Sequence, residues 1–251
     1  MKRLLAVIFT FVVLSGVSAS AQTADELIQK NIAARGGLEK LRGLNSLRMT
    51  GKLHSDGREL PVVIQIKRPA MGRGDVTMQG VRFVLAYDGQ SVWEINAFDG
   101  KTEPERLPPD HDDAKQMIEL ADLDGPLADY KARGNAVELI GKEELEATPV
   151  YKLKLTLKNG DVKYVYLDAA NYLELKVSSK SQREGSEHTE DEYYSDYKPV
   201  NGVLIAHAIE TRVDGQTENQ IIIEKIEANV TMDDGIFKMP VKAPEKKPSG
   251  P

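Results

Sequence analysis

Hydrophobic and polar residues alternate in short segments over most of this chain, and a helical period appears in only two places. The first lies near the N-terminus, where Leu27, Ile28, Ile32, Leu38 and Leu41 recur at close to helical spacing. Thr23 stands ahead of them with Glu26 three residues on, the pairing that predicts an N-cap closed by a capping box. Gly36-Gly37 interrupts the pattern and predicts a kink or a division of the helix. From Ser46 onward the period shortens to two. Leu153, Leu155 and Leu157 alternate with Lys152, Lys154 and Lys158, as a strand with one dry and one wet face requires. Val203, Ile205, His207 and Ile209 share a face in the same way. Asp56-Gly57, Asp88-Gly89, Asp99-Gly100, Asn159-Gly160, Asn201-Gly202 and Asp214-Gly215 are hairpin dipeptides that punctuate these runs. They predict about ten or eleven strands spread along the chain, which favours one curved antiparallel sheet or incomplete barrel over two domains.

The second helical stretch interrupts the strands. Pro108-Pro109 ends a strand pattern, and Asp110, Asp112 and Asp113 suit a helix N-terminus. Met117, Ile118, Leu120, Ala121 and Leu123 follow as an apolar stripe. Gly125-Pro126 ends it, and Leu127 to Arg133 are expected to form a second short helix.

The ends of the chain differ from this body. Lys2 and Arg3 precede an apolar run from Leu4 to Val17, and Ala19-Ser20-Ala21 supplies small residues for signal peptidase. Residues 1–21 are therefore read as a cleaved signal peptide and residues 22–241 as a single domain. Export of this kind puts the domain in the periplasm. The run is shorter than the ~20 residues that cross a bilayer, so no stable membrane anchor is expected. Lys242 to Pro251 is rich in Pro and Lys, has no apolar pattern, and is expected to be disordered.

Charge and composition narrow the function classes. The formal net charge is −6, with no concentrated basic patch, which argues against nucleic acid and against unaided adhesion to anionic lipid. Cysteine is absent, so disulfides, thiol catalysis, cysteine-based metal sites and a lipid-modified N-terminal cysteine are excluded. No phosphate-binding loop, dinucleotide fingerprint, nucleophile elbow or HExxH motif is present. His111 sits among Asp110, Asp112 and Asp113, a grouping that an exposed helix start explains better than a metal site. No cofactor and no enzymatic constellation is expected.

Three stretches in order carry a resemblance. Lys67-Arg68-Pro69 ends a strand and leads to Met71-Gly72-Arg73. Asp88-Gly89-Gln90-Ser91-Val92-Trp93 then reads as a D-G-x-x-x-W hairpin running on to Asn96-Ala97-Phe98. Tyr197 to Gly202 (YKPVNG) opens a late strand, and Phe237 and Pro240 close the pattern. The chain resembles the LolA/LolB-like superfamily of periplasmic lipoprotein-sorting carriers over essentially the whole of residues 22–241. The resemblance implies an incomplete antiparallel barrel wrapped around an N-terminal helix, with a short helical lid over an apolar cavity. It implies as cargo the acyl chains of lipoproteins or related lipids, bound for the outer membrane. An inner-membrane release complex and an outer-membrane acceptor would be the partners. The family's lid-contacting arginine carries over to Arg68, whereas Gly72 stands where an aromatic often follows. The absence of cysteine aligns the chain with the soluble carriers rather than the anchored receptors.

On this reading the cavity residues are Leu47, Met49, Ile64, Arg68, Met71, Trp93, Ile95, Met117, Leu120 and Leu123. The same apolar positions also fit an ordinary filled core, since a helical stripe at this spacing usually faces one. A sixteen-carbon chain gains roughly 12 kcal/mol in a dry cavity at about 0.8 kcal/mol per methylene, so release needs an offsetting cost such as lid opening. Two other functions stay open at this level. One is a lipid-sensing or accessory regulator of the same fold that acts through a protein partner. The other is a metal-dependent hydrolase built on His111 and its neighbouring aspartates.

Overall fold

A computed structural model describes residues 22–183 and 185–240. The expected signal peptide at 1–21 and the tail expected to be disordered at 242–251 lie outside the described residues. Helix α1 spans Ala24–Ala34 and begins as the sequence requires. The Thr23 side chain accepts from the Glu26 amide (3.2 Å), and the Glu26 carboxylate accepts from the Thr23 amide (3.0 Å). Leu27, Ile28 and Ile32 form its buried face. Gly36-Gly37 divides the helix, and α2 resumes at Leu38–Arg42. Gly36 has φ 122°, and a Cβ there would lie 2.3 Å from the Gly202 carbonyl oxygen, so only glycine lets the two chains cross at this point.

The rest is one antiparallel sheet with thirteen strands among the described residues. They are β1 (Ser46–Ser55), β2 (Arg58–Lys67), β3 (Met71–Met78), β4 (Val81–Tyr87), β5 (Val92–Asn96), β6 (Lys101–Arg106) and β7 (Ala136–Leu145). They continue as β8 (Thr148–Thr156), β9 (Val162–Asp168), β10 (Glu174–Arg183), β11 (Ser186–Val200), β12 (Val203–Val213) and β13 (Gln216–Ala228). The spatial order is β6-β5-β4-β3-β2-β1-β13-β12-β11-β10-β9-β8-β7. Two meanders therefore join through the pairing of β1 with β13, and the sheet is curved and unclosed, with β6 and β7 as its edges.

The strand count exceeds the ten or eleven expected from the sequence, for identifiable reasons. Strand β6 reads Lys-Thr-Glu-Pro-Glu-Arg and has no apolar alternation to reveal it. Strands β7 and β8 meet at Glu146-Ala147, both at positive φ (48° and 69°), a hairpin turn without glycine. Asp56-Gly57, Asn201-Gly202 and Asp214-Gly215 are two-residue turns with both residues at positive φ, as their composition predicts.

The inner face of the sheet wraps α1 and α2. Leu27, Ile28, Ile32 and Leu41 pack with Leu47, Met49, Val62 and Ile66 of one meander and Leu153, Leu155, Val165 and Leu167 of the other. The chain from β6 to β7 crosses between the two edges over this face. It carries α3 (Asp112–Leu120) and then turns from Leu127 to Arg133, where a second helix was expected. Leu127, Ala128 and Tyr130 are nonetheless buried, which explains their apolar character without a helix. On the outer face the segment after β13 lies against β3 to β5, where Met232 and Phe237 pack on Met71 and Met239 packs on Trp93.

Candidate functional site

Alternation along β4 and β5 decides which residues α3 meets. Leu85, Tyr87 and Val92 face inward and pack with Ala114 and Met117 of the helix. Gly72 of β3 lies directly beneath: a Cβ there would sit 2.8 Å from the Met117 sulfur and 3.2 Å from the Ala121 Cβ. The missing side chain thus lets α3 seat closely on the sheet. On its other side α3 is held by polar contacts. Asp112 accepts from the Gln182 amide (2.7 Å), Gln116 donates to Glu190, Glu119 pairs with Lys163, and Lys115 lies 3.5 Å from Asp161. The helix is seated by apolar packing on β3–β5 and tied by replaceable polar bonds to β9–β11.

Between α3 and the sheet lies a cavity of about 940 Å³, with a second compartment of about 330 Å³ on the β9–β11 side of the helix. Both are bordered by Gln116, Leu120, Glu190, Glu192 and Ile209. The larger volume falls in the ~300–1,000 Å³ range of small-molecule sites. Its inner wall is graded. Leu53, Ile221, Ile209 and Tyr194 are cross-strand neighbours on β1, β13, β12 and β11. The first three of these, with Ile64, Phe83, Leu85, Met117 and Leu120, make the apolar floor. The next row along the same strands is polar: Asn219, Thr211 and Glu192 oppose one another across β13, β12 and β11. Beyond it stand Glu190, Arg183 and Glu218, with Asp110 to Asp113 from the start of α3 at the rim.

The electrostatics of this wall follow from burial. Glu190 is only 4% exposed and is held by Gln116 and by Arg183 at 3.0 Å. Arg183 also pairs with Glu218, and these bonds raise its pKa further. Burial pushes the Glu192 carboxyl up, and it accepts a hydrogen bond from the Tyr194 hydroxyl (2.6 Å). Burial likewise raises Tyr194 well above the ordinary phenol value. Burial raises Glu94 on β5 as well, opposed by Lys101 and aided by the charge of Asp113. Among the described residues no group of three or more His, Cys, Asp or Glu side chains is arranged to hold a metal ion.

Arg68 forms the other end of the assembly. Its guanidinium donates to the Leu44 carbonyl (2.7 Å), to the Leu41 carbonyl at the end of α2 (3.1 Å), and to both oxygens of Asp124 (2.6 and 3.0 Å). Asp124 lies in the loop that leaves α3, and the Arg68 hydrogen bonds hold its carboxyl below the ordinary carboxylate range. Arg68 therefore bonds one carbonyl at the end of α2 and one just beyond it, and reaches the segment after α3 through a carboxylate.

The ten residues expected at a cavity separate into groups. Ile64, Met117 and Leu120 line it. Leu47, Met49 and Leu123 are buried against α1 and α2 in the main core. Trp93 and Ile95 pack with Val84 and Ala86 on the outer face, where the Trp93 indole donates to the Phe237 carbonyl (2.7 Å), and Met71 joins Met232 and Phe237. Alternation explains this placement, because Val92 and Glu94 take the inner side of β5 and leave Trp93 the outer one. Leu53, Ile209 and Ile221 also line the cavity and were not among the residues expected there. Their period-two pattern was visible, but β1 pairs with β13 across almost the whole domain, and no local signal reveals that neighbourhood.

No family model matches the chain, and the search of curated proteins gave no match. Solved structures do match. A domain from Vibrio parahaemolyticus described as an outer membrane lipoprotein-sorting protein is 13% identical, with a TM-score of 0.56 over 84% of this chain and 94% of that one. A LolA superfamily protein from Nitrosomonas europaea is 14% identical, with a TM-score of 0.56 over 87% and 98%. A DUF1329 family protein from Desulfovibrio piger is 10% identical, with a TM-score of 0.57 over 85% and 96%. At these identities the likeness establishes the fold: this chain has the LolA-like open half-barrel, as its motifs implied.

Proposed function

We propose that this protein is a periplasmic carrier that takes acyl chains of lipoproteins or related lipids into the half-barrel cavity and carries them toward the outer membrane. The observation that carries the reading is the cavity itself, an apolar floor of Leu53, Ile64, Phe83, Leu85, Ile209 and Ile221 beneath a helix that contributes Met117 and Leu120. This space of about 940 Å³ opens to solvent at the Asp110 to Asp113 rim and lies in the size range of small-molecule sites. The LolA-like fold supports the same reading.

The geometry supplies a release device without nucleotide chemistry. Water can replace the bonds of Asp112, Gln116 and Glu119 to β9–β11 at little net cost, while the packing of Met117 and Ala121 on Gly72 keeps the helix attached along its other side. Lifting α3 about that seam opens the cavity, and the cost of lifting it offsets part of the gain from burying an acyl chain. The Arg68–Asp124 pair anchors the segment that follows and limits how far it swings.

Native mass spectrometry tests the proposal on protein expressed with its leader and purified from periplasm without detergent. Adducts of acyl-lipid or lipoprotein mass are expected, and they should disappear when Met117 and Leu120 are both replaced by Asp. A bare protein mass that also refuses added lipid would refute transport and leave the reading of an accessory protein acting through a partner.

A further inference from the structure

The floor of the cavity accounts for an acyl body but not for its polar wall. Six carboxylates border the larger compartment, from Asp110, Asp112, Asp113, Glu190, Glu192 and Glu218, against one arginine. That arginine is engaged, since Arg183 is shared between Glu190 and Glu218. The lysines bordering the smaller compartment are engaged too: Lys115 with Asp161, Lys163 with Glu119 and Lys180 with Glu187. With these cations paired, the charge bordering the larger compartment stays negative, six carboxylates against one arginine. Glu192 is half-buried, with a tyrosine hydroxyl as its bonded partner. Independently, Ser181 borders the adjoining compartment, is only 5% exposed, and its buried hydroxyl has no hydrogen-bond partner among the described residues. Ser179 stands directly opposite Glu190 on the same inner face, so the serines and the two glutamates share one polar patch.

A buried carboxylate is stabilised by a cation that also donates hydrogen bonds, and a second anion beside it is repelled with little screening. We infer that the cavity selects amphiphiles whose head is cationic and donates hydrogen bonds, a primary amine on an alkyl or acyl body, over amphiphiles with an anionic head. The head sits against Glu192, Glu190 and Ser181, and the apolar body lies along Ile209, Ile221 and Leu53 toward Ile64. This rests on the reading of the cavity as an acyl site and adds to it the chemistry of the head.

Three probes with the same twelve-carbon chain isolate the head group: dodecylamine, dodecanol and dodecanoate, each below its micellar concentration. Displacement of the neutral dye N-phenyl-1-naphthylamine from the purified protein reads their affinities at neutral pH. Dodecylamine is expected to bind at least about tenfold more tightly than dodecanoate, with dodecanol between them. Glu192→Gln keeps the shape and removes the charge, and should narrow that ratio at least threefold. Asp113→Asn, at the exposed rim, tests the same field with a substitution that does not enter the folded interior, and should narrow the ratio by a smaller factor. Dodecanoate binding as tightly as dodecylamine would overturn the head-group inference and leave the acyl site standing. A ratio unchanged in both variants would overturn its assignment to this wall. Failure of all three probes to bind would remove the acyl site itself.

Discussion

Arg68 offers the sharpest test of how the segment after α3 is anchored. Replacing it by Ala removes two bonds to Asp124 and two to the carbonyls of Leu41 and Leu44. Breaking a fully buried ion pair by truncating one partner costs about 3–5 kcal/mol. Here the side chains are 24% and 14% exposed, and Arg133 remains 3.7 Å from Asp124 as a second cation, so the cost is discounted. The expected loss is about 2–3 kcal/mol, which for a urea slope near ~3 kcal/mol/M moves the midpoint by roughly 1 M. The pH dependence adds a second readout. Because the folded pKa of Asp124 is depressed, its stabilising contribution is complete above the unfolded value near ~3.9 and is lost as pH falls through the folded value. The gap between wild type and Arg68→Ala should therefore be full at neutral pH and shrink in acid. Arg68→Lys keeps the charge but lacks the fork that reaches carboxylate and carbonyls together, and should lie between the two. Urea unfolding followed by far-UV circular dichroism at pH 7, 5 and 3 measures this. A gap under about 0.5 kcal/mol at pH 7, or one that persists unchanged at pH 3, would refute the anchoring role.

Three further predictions address other parts of the structure. The double substitution Gln116→Ala with Lys163→Ala cuts two of the ties between α3 and the sheet, and should speed amide exchange over residues 112–121 about tenfold; unchanged protection would mean that apolar packing alone holds the helix. Trp93→Phe leaves the Phe237 carbonyl without its buried donor and should lower stability by about 1–3 kcal/mol in thermal unfolding, with lipid binding unaffected. Because the chain's only tryptophan lies on the outer face, its emission should also stay constant when lipid saturates the wild-type protein, and a clear shift would show that the cavity reaches further than drawn. Gly51→Ala places a Cβ 2.0 Å from the Ile222 carbonyl oxygen at the bulge between β1 and β13, and a loss of about 3 kcal/mol should appear in denaturant unfolding, since neither backbone can yield.

What could be read in advance was local. The capping box at Thr23 and Glu26, the division at Gly36-Gly37 and the two-residue turns at Asp56, Asn201 and Asp214 each depend on a few neighbouring residues, and each stands as expected. The apolar character of Met117 and Leu120 was equally visible, and both line the cavity. Reading failed where the local signal was silent: β6 is polar throughout, the Glu146-Ala147 turn lacks glycine, and Leu127 to Arg133 are buried without being helical.

The sequence by itself determined most of the strands, the alternation of sides along each and the position of the interrupting helix, because period, caps and turn chemistry are properties of neighbouring residues. Which side of each strand faces the cavity, and which faces a filled core, was decided only in three dimensions. Trp93 has the same alternation as the cavity-lining strands, yet the segment after β13 covers it from outside. Leu53 and Ile221 are 168 residues apart in number and directly opposite in space, because the sheet closes its two meanders through β1 and β13. The polar wall of Glu190, Glu192, Thr211 and Asn219 is likewise a row across three strands rather than a motif along one. Register between distant strands is set by the packing of the whole inner face around α1, and no short stretch of residues carries that information.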